Sequence, residues 1–199
     1  MSPDDTLPAR RPIRLRNVNY SSIGQYFVTI CAFQMHCLFG KIDNSTVILN
    51  VIGRIALDCW RDIPAHFSHV ELNPFVVMPN HVHGILTISR YPANERDAPT
   101  QDGHGCPVPR QDQPARERFQ HPTVGSLPTI IRSYKGAVTY NARQHLKRGS
   151  LQVWQSNYYE RALRNGEEFS QASRYIFENA TKWDAACRGT GHPCPSFAP

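Results

Sequence analysis

The sequence predicts an α+β fold in which helices pack on an antiparallel sheet. Runs of β-branched and aromatic residues, in residues 26–33 and 81–88, are typical of strands. Apolar residues recur at helical spacing in residues 50–67 and 127–146. Along the chain the elements follow the order strand, helix, hairpin, helix, strand, helix. This order favours a single sheet covered by helices.

In the first half, residues 26–33 are the predicted first strand. The helix over residues 50–67 carries an apolar face that includes Trp60, and Pro64 is expected to mark its end. Residues 70–73 are predicted as a short strand. After the turn at Pro79 and Asn80 comes the strand 81–88, and residues 75–78 are its expected hairpin partner.

In the second half, order is expected to resume at Val124, and a helix is predicted over residues 127–146. Residues 151–159 are predicted as a short aromatic strand that leads into residues 161–163. Asn165 can cap a last helix that runs to about Trp183, because an amide side chain can accept a bond from a free N–H of the first turn.

Three segments are expected to lie outside the folded domain of residues 20–183. Residues 1–19 are rich in Pro and Arg and are predicted as a flexible basic arm. Residues 91–122, rich in Pro, Gly and Gln, are predicted as a disordered insertion. Residues 184–199 are predicted as a loose tail.

Composition excludes several classes of protein. The chain has 199 residues and is 40% hydrophobic, which is enough for a core without disulfide support. Its apolar stretches are too short for a membrane span, and the N-terminus lacks the apolar core of a signal peptide. We therefore expect a cytoplasmic protein without membrane contact, and the six cysteines, which form no CxxC pair, are expected to stay reduced.

Two histidines on the strand 81–88 are candidate metal ligands. Residues i and i+2 of a strand project from the same face, so His81 and His83 can converge on one point while Val82 faces the core. Two imidazole nitrogens so placed can bind a divalent ion. By itself the pattern is more often a surface pair than a metal site.

The neighbouring sequence resembles a known family. The segment MPNHVHGIL at residues 78–86 is similar to the histidine–hydrophobe–histidine segment of HUH endonucleases, and more closely to the single-tyrosine transposases, including the REP-associated tyrosine transposases of bacteria. Residues 153–165, then Glu167-Glu168 and Arg174-Tyr175-Ile176, match the C-terminal half of that family in order and spacing. The resemblance covers about residues 20–183 and implies the ferredoxin/RRM-like HUH fold.

The resemblance also implies a site. Tyr175 corresponds to the catalytic tyrosine of the family, and Asn179, four residues later on the same helical face, to the third metal ligand beside His81 and His83. The implied chemistry is cleavage of single-stranded DNA with Mg²⁺ or Mn²⁺, through a 5′-phosphotyrosine. Relatives often carry Pro after this Asn, whereas Ala180 stands here, so the helix can continue. The alternative for Tyr175 is a core position beside Ala172 and Ile176.

A basic segment is the expected DNA contact. Residues 119–159 contain no Asp or Glu, and such local positive charge favours polyanions. The implied partner is hairpin or palindromic single-stranded DNA, with a homodimer possible, no small-molecule cofactor, and a place in the bacterial cytoplasm near the nucleoid. The residues assigned to DNA binding are Arg132, Lys135, Arg143, Lys147 and Arg148.

Two other functions remain open from the sequence. A sheet backed by helices is also the RRM architecture, so a non-catalytic protein that binds repeat DNA or RNA, including a domesticated transposase, is one alternative. The second is a zinc site formed by Cys187, His192 and Cys194, for which no fourth ligand is apparent nearby.

Overall fold

A four-stranded antiparallel sheet forms the centre of the structure, a computed structural model that describes residues 23–89 and 125–190. Its strands are β1 (Gly24–Cys31), β4 (Val70–Val77), β5 (His81–Ile88) and β6 (Tyr159–Leu163), in the order β4-β5-β1-β6. A separate hairpin pairs β2 (Gly40–Asp43) with β3 (Thr46–Leu49). The helices are α1 (Val51–Arg61), α2 (Ile63–His66), α3 (Leu127–Leu146) and α4 (Gly166–Thr190). The predicted α+β class is confirmed.

One face of the sheet carries the main hydrophobic core. Alternate residues of β1 and β5, such as Val28, Ile30 and Val82, are fully buried there beneath α1 and α3. Trp60 of α1 packs edge-on against Tyr134 of α3, with ring centroids 5.3 Å apart. The Tyr134 hydroxyl donates a hydrogen bond to the Ala56 carbonyl at 3.1 Å, which satisfies its polar atom inside the core.

A glycine in β5 makes this packing possible. Trp60 stacks on Phe75 of β4 with ring centroids 4.2 Å apart and ring planes 10° from parallel. A Cβ atom at Gly84 would overlap the Trp60 indole and lie 2.8 Å from Phe75 Cδ2. The stacked pair therefore occupies the space that a side chain at residue 84 would need.

The opposite face of the sheet is covered by α4. Ala172 and Ile176 of this helix pack on Ile85 of β5 and Leu163 of β6, and they form a second, smaller core cluster. The Asn165 side chain accepts a bond from the Glu168 backbone N–H at 2.9 Å, and Glu168 in turn accepts from the Arg164 N–H at 3.1 Å. The predicted cap at Asn165 is thus present.

Several predicted boundaries are wrong. The segment 151–158 makes an isolated bridge between Trp154 and Ala32, and the strand next to β1 begins only at Tyr159. The carbonyls of Gln155 and Ser156 accept hydrogen bonds from the Lys135 ammonium, and not from the backbone of a neighbouring strand. The hairpin β2–β3 was not predicted.

Two other boundaries also change. Residues 70–77 form one strand whose register shifts between Leu72 and Phe75, and the helix predicted over 50–67 divides into α1 and α2 at Asp62. Helix α4 continues past Trp183 to Thr190, because Ala180 stands where a proline would favour an end, so residues 184–190 of the predicted loose tail are helical.

Other predictions fall outside the described residues. These concern the basic arm (1–19), the insertion (91–122), and His192 and Cys194 of the zinc alternative. Cys37 is disulfide-bonded, so the expectation that all cysteines stay reduced is wrong at this position, whereas Cys31 and Cys59 are free thiols. Within residues 23–89 and 125–190, no helix combines the length and hydropathy that crossing a membrane requires.

Candidate metal and nucleophile site

The two histidines lie side by side on the α4 face of the sheet. Their ring centroids are 4.4 Å apart and both side chains are buried, with 7% of His81 and 5% of His83 exposed. In the sheet, His81 pairs with Cys31 and His83 with Thr29 of β1. Strand alternation therefore places both imidazoles on one face, while Val82 between them enters the main core.

Each histidine has its Nδ1 atom engaged by a neighbour. His81 Nδ1 lies 2.7 Å from Asn80 Oδ1, and because this oxygen only accepts, Nδ1 carries the proton. His83 Nδ1 lies 2.8 Å from the Thr29 hydroxyl, which can accept in the same way. With both protons on Nδ1, both Nε2 atoms keep a lone pair for a metal ion, and such outer partners are usual for metal-binding histidines.

Burial keeps the rings neutral. It lowers the pKa of His81 to about 4. It also lowers the pKa of His83 to about 3, with a further contribution from the charge of His81. Both imidazoles are therefore in the neutral form near pH 7, with one protonated nitrogen each. A neutral imidazole is the form that binds a metal ion.

Tyr175 lies beside the histidines and remains accessible. Its ring centroid is 5.2 Å from that of His83 and 6.1 Å from that of Phe27, in edge-on arrangements. The side chain is 43% exposed, whereas Ile176, the next residue, is 2% exposed in the second core cluster. Ile176, and not Tyr175, therefore occupies the core position. The phenol of Tyr175 is open to a substrate.

Asn179 follows Tyr175 by one helical turn and is buried, with 5% exposed. Trp183 follows by another turn, and its ring lies 5.4 Å from the ring of His81. Within the described part of the chain, no group of three or more His, Cys, Asp or Glu side chains could hold a metal ion. A third protein ligand for a metal at the histidine pair would therefore be of another kind, such as an amide oxygen. Asn179 is the candidate for this role, and two imidazoles with an amide oxygen would suit a divalent ion with positions left open for substrate.

Sequence reasoning missed the residues that support this site. Thr29 and Phe27 come from β1, and only the strand pairing brings them to His83. Asn80 could have been identified, since a polar residue next to a candidate ligand can orient it. Trp183 carried a signal as well, because it continues the i, i+4 spacing of Tyr175 and Asn179.

The basic residues assigned to DNA lie on the other side of the sheet. All five belong to α3 or the turn after it, and α3 packs on the main core face together with α1. Lys135 Nζ donates to the carbonyls of Gln155 and Ser156 at 2.6 and 3.1 Å, and Arg143 Nε to the carbonyl of Leu151 at 3.0 Å. The three residues with exposed side chains are Arg132, Lys147 and Arg148.

Two neighbouring surface concavities lie along the segment 152–156, one beside Phe33 and Gln34 and the other beside α3. Their volumes are about 550 and 500 Å³, and both are lined by Gln152, Trp154, Gln155 and Ser156. Lys135 and Arg143 line the second concavity. These two cations thus fix the wall of the concavity through their bonds to backbone carbonyls.

Comparison with known proteins gives a relative and a fold. The chain is 37% identical over 175 residues to an uncharacterised protein of Haemophilus influenzae, covering 88% of this chain and 90% of that protein. No family model matches. The solved structure of a REP-associated tyrosine transposase bound to a REP hairpin has a TM-score of 0.50 and 17% identity, over 88% of this chain and 86% of that chain.

A second solved structure, of a proposed transposase from Deinococcus radiodurans, has a TM-score of 0.42 and 19% identity, over 84% of this chain and 98% of that one. This likeness is too weak to support a conclusion. The relative and the first structure do support one. The chain belongs to the same family as the Haemophilus influenzae protein and has the fold of a REP-associated tyrosine transposase, as its two sequence motifs predict.

Proposed function

We propose that this protein is a transposase-type DNA-processing enzyme that cleaves and rejoins single-stranded hairpin or palindromic DNA through a 5′-phosphotyrosine. One observation carries the proposal. A partly exposed tyrosine on α4 lies 5.2 Å, ring to ring, from a buried histidine whose Nδ1, like that of the neighbouring histidine, is engaged by an outer partner. This arrangement joins a nucleophile and two available ligand nitrogens in one accessible place.

In the proposed reaction, the Tyr175 oxygen forms a bond to the phosphorus of the scissile phosphate. The bond from phosphorus to the 3′ oxygen breaks, and the phenol proton is balanced by the proton that the 3′ oxygen gains. The products are a 5′-phosphotyrosyl DNA end and a free 3′-OH. Because the phosphodiester energy is kept in the covalent bond, a 3′-OH can later attack that bond and rejoin strands without ATP.

The metal ligands in this proposal are His81, His83 and Asn179. When they hold a divalent ion, Mg²⁺ or Mn²⁺, its charge polarises the nonbridging oxygens of the scissile phosphate. Asn80 and Thr29 keep the two rings oriented through their bonds to Nδ1. Phe27 stacks on His83 with ring planes 26° apart, which limits rotation of that ring.

A DNA partner is supported by charge and by the fold. The REP-associated tyrosine transposase with the same fold was solved with a REP hairpin bound. In this chain the acid-free stretch of residues 119–159 supplies the positive charge that phosphates require. A non-catalytic binder of the same DNA is the competing function, and adduct formation separates the two.

The test is a denaturation-resistant adduct. We expect purified protein, incubated with a labelled single-stranded hairpin from the flanks of its own gene and Mg²⁺ or Mn²⁺, to carry the label on a denaturing gel. Tyr175→Phe should bind the hairpin and form no adduct. Tyr140→Phe is the matched control, because Tyr140 is also an exposed helical tyrosine, 64% exposed on α3, and should leave the adduct unchanged.

Each result has a clear meaning. Peptide mapping should place the DNA on Tyr175, and chelation of the metal should abolish the adduct. If Tyr175→Phe still becomes linked to cleaved DNA, the nucleophile is wrong. If the native protein binds the hairpin but never forms an adduct with either metal, the protein is a binder and the enzymatic proposal fails.

A further inference from the structure

Trp183 has an unusual position among the three tryptophans of the chain. Trp60 and Trp154 belong to the main core, with 1% and 9% of their surface exposed. Trp183 belongs to neither core cluster and is partly exposed. Its ring contacts the ring of His81, with centroids 5.4 Å apart and ring planes at 42° to each other. A large flat apolar surface thus borders the histidine pair without being enclosed in the core.

The helix places this ring at a fixed distance from the nucleophile. Tyr175, Asn179 and Trp183 follow at intervals of four residues, so they form one stripe on α4. Eight residues of α-helix span about 12 Å, and one strand of stacked DNA advances about 3.4 Å per nucleotide. A base that reaches Trp183 would therefore lie within about four nucleotides of a phosphate at Tyr175.

A cation that follows directly before Trp183 in the chain also lies near the Tyr175 ring. Lys182 Nζ lies 5.8 Å from the centroid of the Tyr175 ring and 2.8 Å from Glu178 Oε2. The ion pair with Glu178 holds the Lys182 ammonium close to the Tyr175 ring. Aromatic side chains combined with cations are the usual means by which proteins bind single-stranded nucleic acids, since every base has a face that can stack.

We propose that Trp183 is a stacking site for one unpaired nucleobase of the bound strand, close to the scissile phosphate. The proposal rests on the proposed function, because it assumes that a single strand passes Tyr175. It assigns Trp183 a role in binding unpaired DNA that is separate from the chemistry at Tyr175. Its consequence is a preference for hairpins that carry a single-stranded flank over blunt hairpins.

Tryptophan fluorescence tests the contact directly. In the Tyr175→Phe variant, with and without Mg²⁺, a hairpin with a single-stranded flank should quench the tryptophan emission, and the same hairpin without the flank should not. Trp183→Phe in that background should remove the DNA-dependent quenching. Trp154→Phe should retain it, because Trp154 is buried in the main core. Quenching that is absent, or unchanged by Trp183→Phe, would overturn the proposal.

Affinity gives a second readout. We expect Trp183→Ala to weaken binding of the flanked hairpin by about 5- to 150-fold, the range found when a stacking aromatic is removed, and to leave the blunt hairpin unchanged. Trp183→Phe should recover part of the loss, because phenylalanine also stacks. Equal losses for both hairpins would mean that Trp183 only supports His81 or the fold, and would contradict the proposal.

The two proposals fail in different ways. If the native protein forms no adduct but Trp183 is quenched by the flanked hairpin, the enzymatic function is wrong and the stacking site stands. If the adduct forms on Tyr175 while quenching and flank preference are absent, the stacking site is wrong and the enzymatic function stands.

Discussion

The two faces of the central sheet differ in what they bury. The face under α1 and α3 buries apolar side chains in one large cluster, with a single stacked pair, Trp60 and Phe75, lying over Gly84. Among the described residues, the cluster on the face under α4 has four buried members, and next to them this face buries polar side chains, including His81, His83 and Asn179. The same strands supply both faces, since successive residues of β5 point in opposite directions.

The two faces therefore have different roles: the α1–α3 face mainly stabilises the fold, and the α4 face carries the candidate site. Buried polar groups cost free energy unless they are paired, so a face that carries a ligand site contributes less to stability than an apolar one. The α1–α3 face offsets that cost with large fully buried side chains. The separation predicts that substitutions on one face will change stability and those on the other will change binding and reaction.

The largest expected effect is on the core face. Trp60→Ala removes a ring that contacts Phe75 and Tyr134, and we expect a loss of about 3–5 kcal/mol in the free energy of unfolding. Urea unfolding measures this. Phe177→Ala on α4 is the control, because Phe177 is 74% exposed and should change stability by no more than about 0.5 kcal/mol. Equal losses for the two variants would refute the assignment of Trp60 to the stabilising core.

The next effect concerns the metal site. Thr29→Val removes the hydroxyl bonded to His83 Nδ1 while keeping the shape of the side chain, and we expect about 10- to 100-fold weaker Mn²⁺ binding in calorimetry. Thr87→Val is the matched control: Thr87 lies on the same strand as His83, and its hydroxyl bonds Gln25 and Asn73 instead. An unchanged Mn²⁺ affinity in Thr29→Val would show that the Nδ1 partner does not support a metal ligand.

The sequence predicts the central part of this arrangement well. Strand β5 and helix α3 have the bounds that local pattern predicts, because β-branched runs and helical periodicity are local signals. The shared face of His81 and His83 also follows from the strand period alone. Tyr175 and Asn179 could be placed on one stripe of a helix, but only the fold shows that this stripe faces the histidines.

The rest depends on contacts between distant residues. Thr29 and His83 are 54 positions apart, and no local pattern reveals their hydrogen bond. The local pattern of segment 151–158 is typical of a strand. However, Lys135, which is 20 positions from Gln155, donates a hydrogen bond to the Gln155 carbonyl. The same limit explains why the position of the basic residues of α3 relative to the site could not be predicted, since composition gives the charge of a helix but not the sheet face on which it packs.

A smaller effect is expected where α4 begins. The N-terminal cap at Asn165 satisfies a backbone N–H in the first turn of this helix. We expect Asn165→Ala to lower the free energy of unfolding by about 1 kcal/mol. Hydrogen exchange should show the increased opening in α4 and not in α3. Substitution by Asp, which also caps, should leave stability close to that of the native protein, and a loss as large as that of Ala would argue against the cap.

The smallest expected effect tests whether DNA contacts both faces. Arg132 is exposed on α3, on the face opposite His83. If it binds a phosphate, Arg132→Gln should reduce the slope of log affinity against log salt by about 0.9, because one counterion contact is lost. Arg61→Gln on α1, another exposed arginine of the same sheet face, should not change the slope. A reduced slope for Arg132 alone means that the DNA reaches around the sheet edge to α3. An unchanged slope restricts the bound strand to the α4 face, and the positive charge of α3 then acts only through its long-range field.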